Sequence, residues 1–279
     1  IPPGVKGKTV VTVHDMVCKA FPETVRGRTR FMLEAGLKKS LERADIVVTD
    51  SEFSRSEIVK YYPWCEKKLR VVPCGVDTEK FRPCNDKQKI ADVKASLGIK
   101  GEYFLYLGTI EPRKNLERLI TAYNFFSKKV SDPPKLVLAG GKGWLCDGIY
   151  ARVKSLGLED NVIFTKYVPA DDMTALMCGA VAFVFPSLYE GFGMPPLEAM
   201  ACGVPVLVSG EASLPEVTGD CAVIVDPYDV KSIARGLYRL YSDKELRRDL
   251  SIRGLERAKE FSWKNSARKL YNIYKELLP

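Results

Sequence analysis

Residues 103–107 read Tyr103-Phe104-Leu105-Tyr106-Leu107, a run of apolar and aromatic side chains that ends at a glycine. Five more short apolar runs follow it, at Leu136–Ala139, Val162–Thr165, Ala182–Phe185, Pro205–Val208 and Ala222–Val225. Helical patterns separate them, at Asn115–Val130, Tyr150–Leu156, Asp171–Met177, Pro196–Ala201 and Leu214–Val217. Uninterrupted apolar strands that alternate with helices are typical of a parallel sheet covered on both faces. The sequence therefore predicts a doubly wound α/β domain, whose ligands bind at the carboxyl ends of the strands.

The first 85 residues repeat this alternation in a shorter form. Strands are predicted at Val10–Val13, Ile46–Thr49 and Leu69–Val72, and helices at Arg28–Arg43 and Glu52–Tyr61. Three strands and two helices make half of a Rossmann-like domain, so we expect an N-terminal domain that is incomplete in this chain.

Three parts are therefore expected. A partial N-terminal domain covers residues 1–85, and a second doubly wound domain covers residues 86–262, with a linker over residues 81–89 between them. A helix over residues 263–279 has apolar side chains on one face and Ser262 as its N-cap, and we expect it to cross back to the first domain.

The composition is that of an ordinary globular protein, with 46% hydrophobic and 28% charged residues among 279. No apolar run approaches the roughly 18 residues that a membrane span needs. Ile1-Pro2-Pro3-Gly4 does not read as the start of a signal peptide, and we expect the chain to be a fragment. Eight cysteines without a Cys-x-x-Cys pair, together with one histidine, indicate free thiols in a reducing cytoplasm and no structural zinc.

The net charge of +8 is concentrated towards the beginning, where the first 85 residues hold 16 basic and 11 acidic side chains. Most of that excess comes from one basic stretch, formed by Arg26, Arg28, Arg30, Lys38, Lys39 and Arg43. A solvated helix face is one interpretation, and attraction to a membrane surface, a phosphorylated lipid or a nucleic acid is the other. Nucleic acid is the weakest of these partners because no aromatic residues are interleaved with the charges on a strand.

The most informative segment follows a predicted strand and opens a helix. It reads Pro186-Ser187-Leu188-Tyr189-Glu190-Gly191-Phe192-Gly193-Met194-Pro195-Pro196-Leu197-Glu198. Gly191 and Gly193 let the backbone approach a ligand closely, and the start of a helix is a favourable place for a phosphate. Glu198 falls in the first helical turn, where it can accept sugar or ribose hydroxyls, and Glu190 lies on the opposite side of the same pocket. The alternative is a purely structural loop.

A second segment, Gly108-Thr109-Ile110-Glu111-Pro112-Arg113-Lys114-Asn115, follows the first strand of the same domain. Arg113 and Lys114 can neutralise a diphosphate leaving group there. The alternative is a solvated basic turn in which Asn115 caps the next helix. Residues 139–143, with Gly140 and Gly141, form a weaker glycine-rich signal near a base or phosphates.

These segments carry a resemblance. Glu190 and Glu198 resemble the E-x7-E signature of retaining glycosyltransferases with the GT-B fold, specifically glycosyltransferase family 4. Further blocks resemble that family in their usual order, namely Gly108 to Asn115, Ser51-Glu52-Phe53-Ser54, Val72 to Asp77 and Phe261-Ser262-Trp263. The resemblance implies two Rossmann-like domains that face a cleft, with a nucleotide-diphospho-sugar held by the C-terminal one. Many members have an arginine where this chain has Thr109.

The resemblance also implies a role for each matching residue. Glu190 would contact the donor sugar at the reacting centre, and Glu198 would bind the ribose hydroxyls. The donor diphosphate would be bound by Gly108, Thr109, Arg113 and Lys114. Sugar and phosphate would meet the loop formed by Gly191, Phe192, Gly193, Met194, Pro195 and Leu197. The base would lie against Tyr167, Val168, Gly140 and Gly141.

His14 ends the first predicted strand and so faces the cleft. A lone histidine is more often structural, but the family has a His-Asp pair at this place, which implies a role in orienting the donor sugar or stabilising the transition state. Enzymes of this class are thought to react on one face of the sugar, with the leaving phosphate helping to deprotonate the acceptor. No metal is expected if Arg113 and Lys114 supply the positive charge, and no Asp-x-Asp motif is present.

The function expected is that of a retaining, metal-independent hexosyltransferase without a cofactor. It would move a hexose, with mannose favoured, from a donor of the GDP-mannose or UDP-glucose type to a glycan or lipid-linked saccharide in surface polysaccharide synthesis. The expected location is the cytoplasm, with peripheral contact at the inner membrane face and no nucleic-acid partner. Three alternatives remain open: a synthase of the sucrose or glycogen type, a non-catalytic nucleotide-sugar-binding module that needs a partner segment, and an NAD-dependent oxidoreductase. The last is disfavoured because no Gly-x-Gly-x-x-Gly follows the first strand of either half.

Overall fold

Two parallel sheets organise the chain. The computed structural model describes residues 1, 4–25 and 27–278, except for the side chain of Thr29. The first sheet has the order β1-β2-β3, with strands β1 (Val10–Thr12), β2 (Ile46–Thr49) and β3 (Leu69–Val71). The second has the order β6-β5-β4-β7-β8-β9. Its strands are β4 (Tyr103–Leu107), β5 (Lys135–Ala139), β6 (Val162–Lys166), β7 (Ala182–Phe185), β8 (Val206–Ser209) and β9 (Ala222–Val225).

Helices connect and cover these strands. The helices of the first 96 residues are α1 (Val17–Ala20), α2 (Gly27–Arg43), α3 (Glu52–Tyr61) and α4 (Lys87–Ser96). Those of the second sheet are α5 (Leu116–Ser127), α6 (Asp147–Ser155), α7 (Met173–Cys178), α8 (Met194–Ala201) and α9 (Leu214–Thr218). The last three are α10 (Val230–Ser242), α11 (Lys244–Ala258) and α12 (Trp263–Lys275). Within the described residues, each helix is too short or too polar to cross a bilayer.

The order of the second sheet places two loops side by side. Strand β4 pairs with β5 on one side and with β7 on the other, so the chain reverses its direction of progress across the sheet between these strands. In open α/β sheets such a reversal opens a crevice at the carboxyl ends of the two strands. The loops at this crevice are those that follow β4 and β7, which are the two segments singled out from the sequence.

The predicted doubly wound fold is confirmed. Every predicted strand is present within one residue of its expected ends. The four central strands of the second sheet, β5, β4, β7 and β8, are almost completely buried, whereas the edge strands β6 and β9 are partly exposed. Apolar residues on both faces of these strands form one continuous core with the covering helices. The burial explains why the strands read as uninterrupted apolar runs.

Four helices lie where no helix was predicted, namely α1, α4, α10 and α11. Helix α4 begins at Lys87, so the last residues of the predicted linker are helical, and the side chain of Asp86 caps it by accepting the amide of Lys89. Helices α10 and α11 lie where no element was predicted, after β9. Helix α10 packs on α5, where the rings of Phe126 and Tyr241 meet edge to face with centroids 5.6 Å apart. Ile233 and Leu237 of α10 are fully buried.

The last helix lies on the first sheet. Ile273 of α12 is buried in a cluster with Ile46 and Val48 of β2, and Leu270 and Leu277 pack against the same cluster. The hydroxyl oxygen of Ser262 accepts the amide of Asn265 at 3.2 Å, as expected of an N-cap. The C-terminal helix therefore contacts the first sheet, whereas the predicted division into domains stays a prediction.

Candidate active site

The loops after β4 and β7 are joined directly by hydrogen bonds. The amide of Leu188 donates to the carbonyl of Arg113 at 2.9 Å. In return the Arg113 guanidinium donates to the carbonyl of Tyr189 at 2.7 Å. The structure thus brings together the two segments that the sequence analysis proposed as donor-binding.

A buried ion pair lies at the centre of this junction. The Lys114 ammonium donates to Glu190 Oε1 at 2.6 Å, and the Ser187 hydroxyl donates to the same oxygen at 2.6 Å. Both charged side chains are 11% exposed. Burial alone would raise the pKa of Glu190, but the attraction of Lys114 and Arg113 outweighs it and leaves the pKa below its usual value. Glu190 is therefore held in the charged form.

Arg113 bridges Glu190 to a second carboxylate. Its guanidinium lies 3.3 Å from Glu190 Oε2 and 2.9 Å from Glu111 Oε1, and Glu111 is 3% exposed. Burial lowers the pKa of Arg113, but the two neighbouring carboxylates overcome that effect and raise it. Two cations and two carboxylates thus form one compact network. The interpretation of this segment as a solvated basic turn is wrong, because these side chains are largely buried.

Asn115 does not cap α5 with its side chain, contrary to the expectation for this position. It stands at the N-cap position of α5 with a positive φ of 62° and without a capping side-chain bond. Its amide nitrogen instead donates to the carbonyls of Pro186 and Pro227, at 3.0 and 2.7 Å. Asn115 therefore fixes the loop after β7 to the loop after β9.

Glu198 follows the glycine loop (residues 191–193) and lies in the second turn of α8. The predicted first-turn position is wrong, because the helix begins at Met194 and not at Pro196. Burial raises the pKa of its carboxyl to about 7, and the attraction of Lys80 acts in the opposite direction. Pro195 and Pro196 have no N–H, and the amide of Leu197 donates to the carbonyl of Gly193 at 3.4 Å. Within the first turn, the Met194 amide is therefore a donor without an intrahelical acceptor. This helix start offers fewer free N–H groups than the four of an ordinary helix. Of the predicted loop contacts, Pro195 can provide only its ring and carbonyl.

The remaining predicted donor contacts surround the ends of β4, β5 and β6. Gly108 and Gly140 both have positive φ values, of 154° and 146°, and a side chain at Gly140 would overlap the Gly108 carbonyl. Gly141 has open space around it, and Thr109 is exposed. After β6, Tyr167 is 75% exposed whereas Val168 is buried. Whether the base and the diphosphate bind here stays a prediction.

His14 lies at the end of the first sheet, against the glycine loop. Its Nδ1 is 2.7 Å from Asp50 Oδ2, and its imidazole is 75% exposed. Burial raises the pKa of Asp50, while hydrogen bonding by His14 and by Cys74 acts to lower it. An added Cβ on Gly191 would overlap the carbonyl oxygen of His14, so only glycine allows this approach. A cavity of about 360 Å³ opens beside His14, between β1 and α2.

Comparison with known proteins identifies the family. The family described as "Glycosyl transferases group 1" matches residues 89–257, which is more than half of the chain. The chain belongs to the group 1 glycosyltransferases. The family described as "Glycosyltransferase Family 4" matches residues 5–80 of this glycosyltransferase, so both halves agree with the resemblance drawn from the E-x7-E motif.

Curated relatives carry mannosyltransferase names. The glycosyltransferase is 37% identical to O-antigen chain mannosyltransferase B of Escherichia coli, over 97% of this chain and 71% of that protein. It is 34% identical to the serotype-specific mannosyltransferase WbdA of Escherichia coli, over 93% of this chain. The chain spans only 32% of the length of WbdA.

Solved structures agree on the architecture. A sucrose-phosphate synthase from Thermosynechococcus elongatus superposes with a TM-score of 0.75 at 29% identity, covering 96% of this chain and 67% of its own. HepE of Anabaena, solved in complex with UDP and glucose, has a TM-score of 0.82 at 19% identity, covering 97% of this chain and 72% of its own. These matches confirm the GT-B fold of the glycosyltransferase.

The sequence analysis missed several partners of the predicted residues. Glu111, Ser187 and Asp50 each bond a predicted site residue, and each is buried. A signal was available, because all three lie within four residues of the carboxyl end of a buried strand. A polar residue there is close to any ligand that binds at the sheet edge.

Proposed function

We propose that this glycosyltransferase moves a hexose, with mannose favoured, from a nucleotide-diphospho-sugar to a glycan or lipid-linked saccharide in surface polysaccharide synthesis. Family membership supports sugar transfer, and the names of the Escherichia coli relatives support mannose and O-antigen synthesis. GDP-mannose and UDP-glucose are the two donor types that the proposal covers.

The observation that carries the proposal is the arrangement at the crevice between β4 and β7. Lys114 and Arg113 bond Glu190 just before the glycine loop, and the half-buried Glu198 follows that loop in α8. Cations at this place stabilise negative charge on a departing diphosphate, and carboxylates accept sugar hydroxyls. Both groups are required by a nucleotide-sugar donor.

In the proposed reaction, the bond between the anomeric carbon and the diphosphate oxygen breaks as an acceptor oxygen forms a new bond to that carbon. The acceptor proton passes to the departing phosphate, and the sugar keeps its anomeric configuration. Lys114 and Arg113 supply the positive charge, so the proposal requires no metal. The E-x7-E resemblance supports retention.

His14 contributes from the other side of the crevice. When Nδ1 of His14 carries the proton, it donates a hydrogen bond to the Asp50 carboxylate. In that tautomer Nε2 of His14 can accept a hydrogen bond. We assign His14 to orienting the donor sugar.

The test is a transfer assay with GDP-mannose and UDP-glucose, a synthetic mannose-terminated acceptor, and EDTA present. The proposal predicts an elongated product from one donor, with the anomeric configuration of the donor retained in its NMR spectrum. Inversion would overturn the retaining mechanism, and a requirement for added metal would overturn metal independence.

A second candidate is a nucleotide-sugar-binding module without transfer activity. The observation in its favour is that both cations are already bonded to carboxylates, which weakens their pull on a diphosphate. Donor binding without turnover over a range of glycan acceptors would support the module and contradict the enzyme.

Contact with an anionic membrane surface at the inner face, and the cytoplasmic location that goes with it, remain proposals. Helix α2 presents Phe31 and Met32, which are 74% and 65% exposed, on the same helix as the basic stretch. Arg26 lies outside the described residues. Sedimentation with liposomes that contain anionic lipid tests the contact. Binding that ignored charge reversal at Arg28 and Arg30 would count against it.

A further inference from the structure

Two serine hydroxyls at the start of α3, the helix that follows β2 of the first sheet, hold the glycine loop. The Ser51 hydroxyl donates to the carbonyl of Gly191 at 2.6 Å, and the Ser54 hydroxyl lies 3.0 Å from the same oxygen. Both serines are fully buried and belong to the start of α3, where Ser51 is also the N-cap. The position of α3 therefore decides where Gly191, and with it Glu190, lies relative to His14.

Helix α3 is in turn tied to the second sheet by Glu216. The carboxylate of this residue, in α9, accepts the amides of Glu52 and Phe53 at 2.9 and 3.1 Å. These amides belong to the first turn of α3 and have no acceptor within their own helix. A carboxylate at this end of a helix gains from two charge-assisted hydrogen bonds and from the helix dipole.

Helix α9 also supports the glycine loop from behind. The hydroxyl of Ser213, its N-cap residue, is 2.9 Å from the carbonyl of Glu190 and 2.8 Å from that of Phe192. Arg257 of α11 donates to the main-chain carbonyl of Glu216 at 2.7 Å and so anchors α9. One short helix thus contacts both the loop that carries Glu190 and the helix that holds this loop.

We propose that Glu216 is a positioning residue for sugar transfer, an inference that rests on the proposed function. By fixing the start of α3, it keeps Ser51 and Ser54 on Gly191 and holds Glu190 and His14 at the spacing that the reaction needs. The donor contacts proposed for Glu198, Arg113 and Lys114 lie on the second sheet alone. Loss of Glu216 therefore impairs the transfer step and spares donor binding.

The test compares the unmodified chain with Glu216→Ala, Glu216→Gln and the control Asp220→Asn, whose carboxylate is exposed and pairs with Arg253. We expect Glu216→Ala to lower kcat about tenfold or more, with KM for the donor changed less than about threefold, because misplacement of reacting groups affects the transfer step. Glu216→Gln keeps one acceptor oxygen and its packing, so an intermediate kcat is expected. Asp220→Asn is expected to leave kcat unchanged.

Hydrogen exchange of the peptide over residues 51–56 gives a readout that does not depend on turnover. Loss of amide protection there in Glu216→Ala, with none in Asp220→Asn, is the expected result. Unchanged protection, or an equal loss of kcat and donor affinity, would overturn the inference. If the unmodified chain transfers no sugar, the proposed function fails, and the exchange experiment still decides whether Glu216 fixes α3.

Discussion

At the scale of single residues, the buried pair of Lys114 and Glu190 is predicted to have a large effect on stability. Lys114→Met leaves the Glu190 carboxylate buried with Arg113 as its remaining cation. Removing one partner of such a pair costs on the order of 3 kcal/mol. Urea unfolding is expected to show a loss of this size.

The double variant Lys114→Met with Glu190→Gln is the control for this prediction. It removes the uncompensated charge, so we expect it to recover a large part of the lost free energy of unfolding. Equal losses in the single and double variants would contradict the view that the two charges act on each other.

We expect donor affinity to depend on pH, because the proposed function assigns Glu198 to the ribose of the donor. Its carboxyl has a pKa of about 7 in the folded chain, so it is largely protonated at pH 6 and ionised at pH 8. An ionised carboxylate forms stronger hydrogen bonds to hydroxyls than a neutral one. We expect calorimetric titration to show nucleotide affinity rising between pH 6 and pH 8, and this rise to be absent in Glu198→Gln.

The same shift affects stability in the opposite direction. Because the folded pKa lies above the usual value of 4.5, the folded state binds more protons between these values. The free energy of unfolding should therefore fall as the pH rises from about 4.5 to about 7. Glu198→Gln should reduce this slope, whereas Glu256→Gln, on the exposed face of α11, should not. An unchanged slope in Glu198→Gln would contradict the assignment.

At the scale of elements, substitutions at two glycines have opposite expected effects on stability. One glycine is needed for a close backbone contact, and the other lowers the stability of a helix. Gly191→Ala places a Cβ on the His14 carbonyl, which forces the loop away and is expected to cost about 1–3 kcal/mol. Gly36→Ala, in α2, meets open space and is expected to stabilise the chain by about 0.5–1 kcal/mol. Thermal unfolding of both variants tests the pair, and a stable Gly191→Ala would contradict the packing of loop on strand end.

The strands and the glycine loop could be predicted from the sequence because the local residue types indicate burial in the strands and a tight turn in the loop. Runs such as Ala182–Phe185 are apolar on both faces, and Gly191 and Gly193 stand where the chain must turn. Helix α10 could also have been found, because Ile233, Leu237 and Leu240 recur at helical spacing. Helix α11 gave a weak signal since only Leu250, Gly254 and Ala258 of its residues are buried.

The partners within the site could not be predicted in the same way. Lys114 and Arg113 were expected to face a diphosphate, but their bonds to Glu190 and Glu111 depend on the neighbourhood of β4 and β7. Strand order is a long-range property that local patterns do not contain. The contact between Glu216 and Phe53 at the start of α3 could not be predicted for the same reason, because the two residues are 163 positions apart in the sequence.

At the scale of the whole molecule, helix α12 joins the end of the chain to the first sheet. Ile273→Ala should destabilise the chain by about 2–4 kcal/mol, because its side chain is 6% exposed and packs on β2. Ile252→Ala is the matched control, since that side chain in α11 is 55% exposed and the change should stay within about 0.5 kcal/mol. Urea unfolding measures both, and equal effects would contradict the docking of α12.

The most direct measurement is calorimetric titration of the chain with GDP-mannose, UDP-glucose, GDP and UDP, alongside Glu198→Ala. The account predicts selective binding of one nucleotide and its sugar, with affinity lowered about tenfold or more in the variant, because a hydrogen bond to a charged group contributes about 1.5–3 kcal/mol. Binding of none of the four, or binding that Glu198→Ala leaves unchanged, would contradict a donor site at the loop between Glu190 and Glu198.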